Sequence, residues 1–76
     1  MKITGARDHM IVEFDHRCVK IYGELTITPA FYADLKSIRH WEPPFERELI
    51  SDAEKDEIVR RVLEQTENET FKIYFE

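Results

Sequence analysis

Apolar residues occupy every second position in two neighbouring segments, residues 9–14 and 17–25, which Asp15 and His16 separate. Alternation with a period of two is typical of a strand that buries one face. Two residues between two such segments predict a β-hairpin. The turn lacks the favoured Asn-Gly or Asp-Gly pair, so we expect Asp15 or His16 to adopt a positive φ.

Three further segments show the same alternation and predict additional strands. Residues 2–4 form a short strand candidate, and residues 31–35 form another that could continue to Ile38. Residues 70–76 alternate throughout, which predicts a final strand whose inward-facing side chains are Phe71, Ile73 and Phe75.

The clearest local signal begins at Ser51, which is a candidate N-cap for a helix. Glu54 follows three residues later and completes the capping-box pattern. Asn68 is expected to end the helix, because asparagine tolerates the left-handed conformation. Apolar residues recur between them at helical spacing and predict one buried stripe, made of Ile58, Val59, Val62 and Leu63.

Together these elements predict one α+β domain that spans residues 1–76. Successive strands favour an antiparallel β-meander of about five strands. We expect the helix of the C-terminal half to pack on one face and the final strand to return to the sheet. A chain of this length has no room for a deep enclosed pocket. The second face should be open to solvent or to a partner, and its candidate binding residues are Tyr22, Tyr32 and Tyr74.

The segment SIRHWEPPFER, residues 37–47, contains the only tryptophan and two of the three prolines. Pro43 and Pro44 lack backbone donors, which excludes a central strand or a helix interior and predicts a loop. Three interpretations of Trp41 stay open: a core residue that closes one end of the sheet and helix, an exposed anchor for a partner, or both. The candidate partner-binding residues here are Trp41, Glu42, Phe45, Glu46, Arg47 and Glu48.

Charge is distributed unevenly along the chain. The net charge is −5; residues 1–41 carry six Lys/Arg and five Asp/Glu, whereas residues 42–76 carry five and eleven. A nucleic-acid partner is disfavoured, because phosphate binding needs clustered positive charge. A basic protein partner fits the acidic half better. The single cysteine excludes an internal disulfide, and no segment has the pattern of a signal peptide or membrane span, so we expect a cytoplasmic protein.

Side chains arranged for catalysis or metal binding are few. His16 and Cys18 form one close pair of potential zinc ligands, whereas a structural zinc site takes four ligands, commonly in two close pairs. Cys18, Ser37 and Ser51 lie outside the Gly-x-Ser-x-Gly pattern of a nucleophile elbow. Two glycines are too few for a glycine-rich phosphate loop. We therefore expect a protein without enzyme activity, cofactor or metal; the alternative is a small enzyme or ligand-binding domain that uses Cys18 or the histidines.

Three motifs carry a family resemblance: Ser37-Ile38-x-x-Trp41-Glu42-Pro43-Pro44, then Ile50-Ser51-x-x-Glu54-Lys55-x-Glu57-Ile58, then Thr70-x-Lys72-Ile73-x-Phe75-Glu76. With the upstream hairpin, they resemble a family of small immunity proteins from bacterial polymorphic toxin systems. An Asp-Gly turn would be expected there, and this chain has Asp15-His16 instead. The resemblance implies a non-enzymatic protein that binds and neutralises a cognate toxin domain. The other hypothesis is a homodimeric structural or regulatory module, joined through a sheet edge or the tyrosine-bearing face.

Overall fold

The computed structural model describes all 76 residues and has the predicted α+β architecture. One five-stranded sheet with the order β1-β2-β3-β4-β5 curls into a half-barrel, and one helix lies in the C-terminal half. The strands are β1 (Lys2–Gly5), β2 (His9–Phe14), β3 (Arg17–Thr26), β4 (Ala30–Ala33) and β5 (Lys72–Phe75); the helix α1 is Asp52–Thr66, and a 3-10 turn is Leu35–Ser37.

The first four strands form the predicted antiparallel meander, and the final strand joins the sheet as expected. It pairs with β4 in parallel, however, with Phe31 opposite Ile73. Parallel neighbours cannot be joined by a tight turn and need a long crossover, commonly a helix. Residues 34–71, which include α1, form this crossover. A connection of this length allows β5 to run parallel to β4, and the sheet is mixed.

The β2–β3 hairpin has the predicted two-residue turn, with Phe14 paired to Arg17. Both turn residues adopt the left-handed conformation, Asp15 at φ 49° and His16 at φ 65°. A turn with two positive φ values matches the right-handed twist of the flanking strands. The expected positive φ at Asp15 or His16 is confirmed, and both residues adopt it.

Strand β3 pairs with β2 along its first part and with β4 only from Gly23 onward. Gly23 lies where the backbone of β4 comes very close to β3. A Cβ atom there would be 2.3 Å from the carbonyl oxygen of Tyr32 and 2.6 Å from the ring atom Cε2 of Phe31. Only glycine fits this crossing, and the half of β3 before it is left free on the β4 side.

Helix α1 begins with the predicted capping box. Glu54 N donates to Ser51 Oγ at 3.1 Å, and Ser51 N donates to Glu54 Oε1 at 3.0 Å. Of the predicted apolar stripe, Ile58 and Val62 are fully buried and Val59 is partly buried. Leu63 is 42% exposed, so the buried stripe is narrower than expected.

The prediction that Asn68 ends the helix through a left-handed conformation was wrong. The helix ends at Thr66, and Glu67 keeps right-handed dihedral angles. Carbonyl groups at the end of the helix accept hydrogen bonds from other donors. Glu69 N donates to Thr66 O at 3.1 Å, and Lys72 Nζ donates to Glu67 O at 2.6 Å. These hydrogen bonds satisfy the terminus without a left-handed residue.

Two strand boundaries also differ from the prediction. Strand β4 ends at Ala33, because the Asp34 carboxylate accepts a hydrogen bond from Lys36 N at 3.0 Å and starts the 3-10 turn. Strand β5 begins at Lys72, so Phe71 precedes it and is 38% exposed instead of facing the core.

The core lies between the concave face of the sheet and α1. It is entirely apolar, and Trp41 is its largest fully buried side chain. No helix has the length and apolar composition needed to cross a membrane. The core cluster consists of Met10, Val12, Phe14, Val19, Ile21, Phe31, Ala33, Ile38, Trp41, Ile50, Ile58, Val62 and Ile73.

Candidate functional site

The segment between the 3-10 turn and α1 folds back on itself as an irregular hairpin. Ile50 N donates to Arg39 O at 2.8 Å, and His40 and Leu49 form an antiparallel bridge. Two successive turns close its tip, where Phe45 N donates to Glu42 O at 3.0 Å and Glu48 N donates to Phe45 O at 2.9 Å. We call residues 42–49 the acidic loop. The segment is thus ordered by its own backbone hydrogen bonds.

The segment from Ser37 to Glu42, which leads into the acidic loop, is hydrogen-bonded to the free half of β3. Glu42 N donates to Cys18 O at 2.8 Å, and Tyr22 N donates to Ser37 Oγ at 3.0 Å. These bonds occupy the edge that β4 leaves unpaired before Gly23. The loop segment therefore takes the place that a longer β4 would have filled.

Trp41 anchors the acidic loop to the hydrophobic core. Its side chain has 0% exposure, and its ring lies parallel to Phe14 with centroids 6.3 Å apart. The guanidinium carbon of Arg17 lies 4.2 Å from the centroid of the indole ring. The indole Nε1 is buried without a hydrogen-bond acceptor. With no exposed surface, Trp41 fits the interpretation as a core residue that positions the loop.

Arg17 joins the loop to the start of the helix. Its Nη2 donates to Glu54 Oε2 at 2.9 Å, and its Nη1 donates to Glu48 Oε1 at 3.3 Å. The backbone N–H of Ser51 and, to a lesser extent, Arg17 lower the pKa of Glu54 below its usual value. Stacking on Trp41 and pairing with two carboxylates suit a planar guanidinium. Sequence reasoning did not identify Arg17, because its partners lie 31 and 37 positions away.

The remaining residues of the acidic loop differ in exposure. Glu46 and Arg47 are exposed, whereas Glu42 and Phe45 are half-buried, and Phe45 packs against the core cluster. Neither Glu42 nor Glu46 forms an ion pair. Leu49 is 78% exposed although it precedes the buried Ile50. Sequence reasoning missed Leu49, since nothing in its local pattern separates it from a core leucine.

The three predicted tyrosines lie on the convex face of the sheet. Tyr32 and Tyr74 stack across β4 and β5 with ring centroids 5.3 Å apart. Tyr22 contacts the edge of His9, at a centroid distance of 6.3 Å, and lies 5.2 Å from Lys20 Nζ. No hydrogen bond, ion pair or aromatic contact joins these tyrosines to the acidic loop. The predicted contact residues therefore form two separate groups.

A third feature is an open apolar cleft of about 640 Å³ between the concave face and the C-terminal half of α1. Arg7 and Glu69 lie among its polar lining residues, and none of its lining belongs to the acidic loop. The apolar lining is formed by Ile3, Ala6, Met10, Leu25, Phe31, Phe71 and Ile73. Elsewhere in the chain, groups of three or more His, Cys, Asp or Glu residues placed to hold a metal ion are also absent.

Comparison with known protein families gives one match. The family model described as Immunity protein 74 matches residues 2–76, which is nearly the whole chain. No curated protein and no solved structure matches the chain. The match confirms the resemblance to immunity proteins that the three sequence motifs indicated.

Proposed function

Because the chain belongs to the family Immunity protein 74, we propose that it binds a cognate bacterial toxin domain in the cytoplasm and neutralises it without catalysis. The family assignment is the observation that carries this proposal. Inhibition by contact needs an ordered, exposed surface, and the acidic loop is such a surface.

The charge of the acidic loop supports a basic partner. Glu42 and Glu46 have no intramolecular cation, so their charges are available to lysine or arginine residues of the toxin. Complementary charge accelerates association and favours the correct partner. The backbone hydrogen bonds and the buried Trp41 hold the backbone that carries these two residues in place before binding. Preorganisation of this kind lowers the entropic cost of association.

Glu48 has a different role from its two acidic neighbours. It accepts a hydrogen bond from Arg17 and belongs to the network that holds the loop. Reversal of its charge would place a cation against Arg17 and disturb the loop itself. A clean test of the electrostatic contact therefore changes Glu42 and Glu46 and leaves Glu48 intact.

The proposal is tested with a candidate toxin domain, taken from the C-terminus of any secreted protein whose gene neighbours this one and inactivated so that it can be produced. We expect the wild-type protein to bind this domain and to protect cells from its active form. The variant Glu42→Lys/Glu46→Lys should bind about tenfold or more weakly at low salt, with the difference shrinking as ionic strength rises.

The variant Glu67→Lys/Glu69→Lys is the matched control. It changes the net charge by the same amount, and its two exposed carboxylates form no ion pair. At about 0.1 M salt we expect it to bind within about threefold of the wild type, because its charges lie outside the loop and interactions beyond about 10 Å are screened at that ionic strength. Equal losses in both variants would show that net charge, not the loop, determines binding. Absence of wild-type binding would contradict the proposed function.

A homodimeric structural or regulatory module is the alternative function. Two observations favour it: β1 and β5 are free edges of the sheet, and the stacked Tyr32 and Tyr74 are exposed beside β5. Both edge strands have only four residues, which limits the number of intermolecular backbone bonds. Light scattering after size exclusion separates the two functions: a firm dimer that binds no toxin domain would favour the module.

A further inference from the structure

Leu49 is an exposed aliphatic side chain on a fixed segment of backbone. It is 78% exposed, yet its neighbour Ile50 is buried and donates a backbone hydrogen bond to Arg39 at 2.8 Å. Across the hairpin, Leu49 pairs with His40 in an antiparallel bridge. Its preceding residue, Glu48, is held through Arg17. The backbone is anchored on both sides of Leu49, so the side chain is presented to solvent at a defined position.

An ordered, exposed apolar side chain with charged neighbours resembles the centre of a protein–protein interface. Interfaces commonly place apolar groups in the middle and charged groups at the rim, where water remains accessible. On the acidic loop, Leu49 is the largest exposed apolar side chain, and Glu46 and Glu48 lie close to it in sequence. A leucine held by the backbone loses little additional conformational freedom when a partner covers it.

We propose that Leu49 is the apolar anchor of the toxin contact and that it fits an apolar pocket rimmed by lysine or arginine residues. This inference rests on the proposed function and specifies the partner surface. The rim cations would pair with Glu42 and Glu46, which have no intramolecular cation. The pocket would cover the exposed part of Leu49 and remove it from water.

The test measures association and dissociation rates with the inactivated toxin domain described above. Leu49→Ala should weaken binding about tenfold, because transfer of most of a leucine side chain from water is lost. The loss should appear mainly in the dissociation rate. It should also persist at high salt, unlike the effect of Glu42→Lys/Glu46→Lys. Leu49→Met, which keeps volume and apolar character, should bind within about threefold of the wild type.

Ile27→Ala is the matched control. Ile27 is an aliphatic residue with 100% exposure in the turn between β3 and β4. Leu49→Ala, Leu49→Met and Ile27→Ala should all unfold at the melting temperature of the wild type, since neither Leu49 nor Ile27 is buried in the fold. Leu49→Ala affinity equal to that of Ile27→Ala would overturn the anchor while leaving the proposed function standing. A wild-type protein that does not bind the toxin domain would overturn both.

Discussion

The replacement Trp41→Ala tests whether the indole ring is a core residue that holds the acidic loop. The ring has 0% exposure, and an aromatic side chain of this size buries about 150–250 Å². At about 25 cal/mol per Å², its transfer from water contributes about 4–6 kcal/mol. Tryptophan-to-alanine changes in cores cost about 3–5 kcal/mol. Loss of the Arg17 stacking contact, 4.2 Å from the ring centroid, adds to this effect.

We expect Trp41→Ala to lower the free energy of unfolding by about 3–5 kcal/mol. A domain of 76 residues has about 4–11 kcal/mol in total at about 0.05–0.15 kcal/mol per residue. The variant should thus lose a large share of its stability. The melting temperature should fall by about 12 °C or more, since about 1 kcal/mol corresponds to about 4–8 °C for a domain of this size. Trp41→Phe keeps a ring against Phe14 and should cost only about 1–2 kcal/mol.

Urea denaturation followed by circular dichroism measures this effect, because the variants lack the tryptophan fluorophore. Tyr22→Ala is the control, since Tyr22 is 49% exposed and its removal leaves no core cavity. A Trp41→Ala protein within about 1 kcal/mol of the wild type would refute the reasoning. If that variant were stable but no longer bound its partner, the ring would be an interface residue that changes conformation on binding.

Two further predictions concern the fold. Gly23→Ala should destabilise the protein by about 2 kcal/mol or more, because the new Cβ would lie 2.3 Å from the Tyr32 carbonyl oxygen. Gly5→Ala is the control, since nothing lies within 4 Å of a Cβ atom there, and equal urea midpoints for the two variants would contradict the close approach at Gly23. Glu57→Gln should reduce the pH dependence of stability, because hydrogen bonds from Arg60 and then Arg61 lower the pKa of Glu57 from 4.5 to about 2. A carboxylate with a lowered pKa stabilises the fold above its unfolded pKa and loses this contribution as the pH falls through about 2. Melting temperatures of the wild type and Glu57→Gln should therefore differ at pH 7 and converge between about pH 4.5 and 2. Asp56→Asn is the control. A difference that stays constant with pH, or the same pH dependence in Asp56→Asn, would contradict the role given to Glu57.

Most of the secondary structure could be predicted from short stretches of sequence. The alternation in residues 9–14 and the Ser51–Glu54 capping box involve side chains only a few positions apart. Such interactions depend on backbone periodicity, so the sequence pattern contains nearly all the information that they need. The same holds for the turn at Asp15 and His16, where two residues between strands require positive φ.

Predictions failed where the end of an element depends on contacts that the local pattern does not specify. Asn68 suits a left-handed helix end, but Lys72 and Glu69 satisfy the terminal carbonyls instead. Phe71 continues the alternation of β5, yet the cleft beside the end of α1 leaves it 38% exposed. Periodicity shows which residues share a face, but it does not show how far the opposite layer extends over that face.

The place and the charge of the candidate site could be predicted from the sequence, as a proline-interrupted acidic loop between the strands and the helix. The burial of Trp41, the exposure of Leu49 and the binding of Arg17 to both Glu48 and Glu54 became visible in the folded protein alone. The parallel direction of β5 relative to β4 became visible there as well. The reason is that the hydrophobic effect drives apolar groups from water without choosing their neighbours. The neighbours are chosen by the curl of the sheet and the path of the crossover, which bring residues more than thirty positions apart into contact.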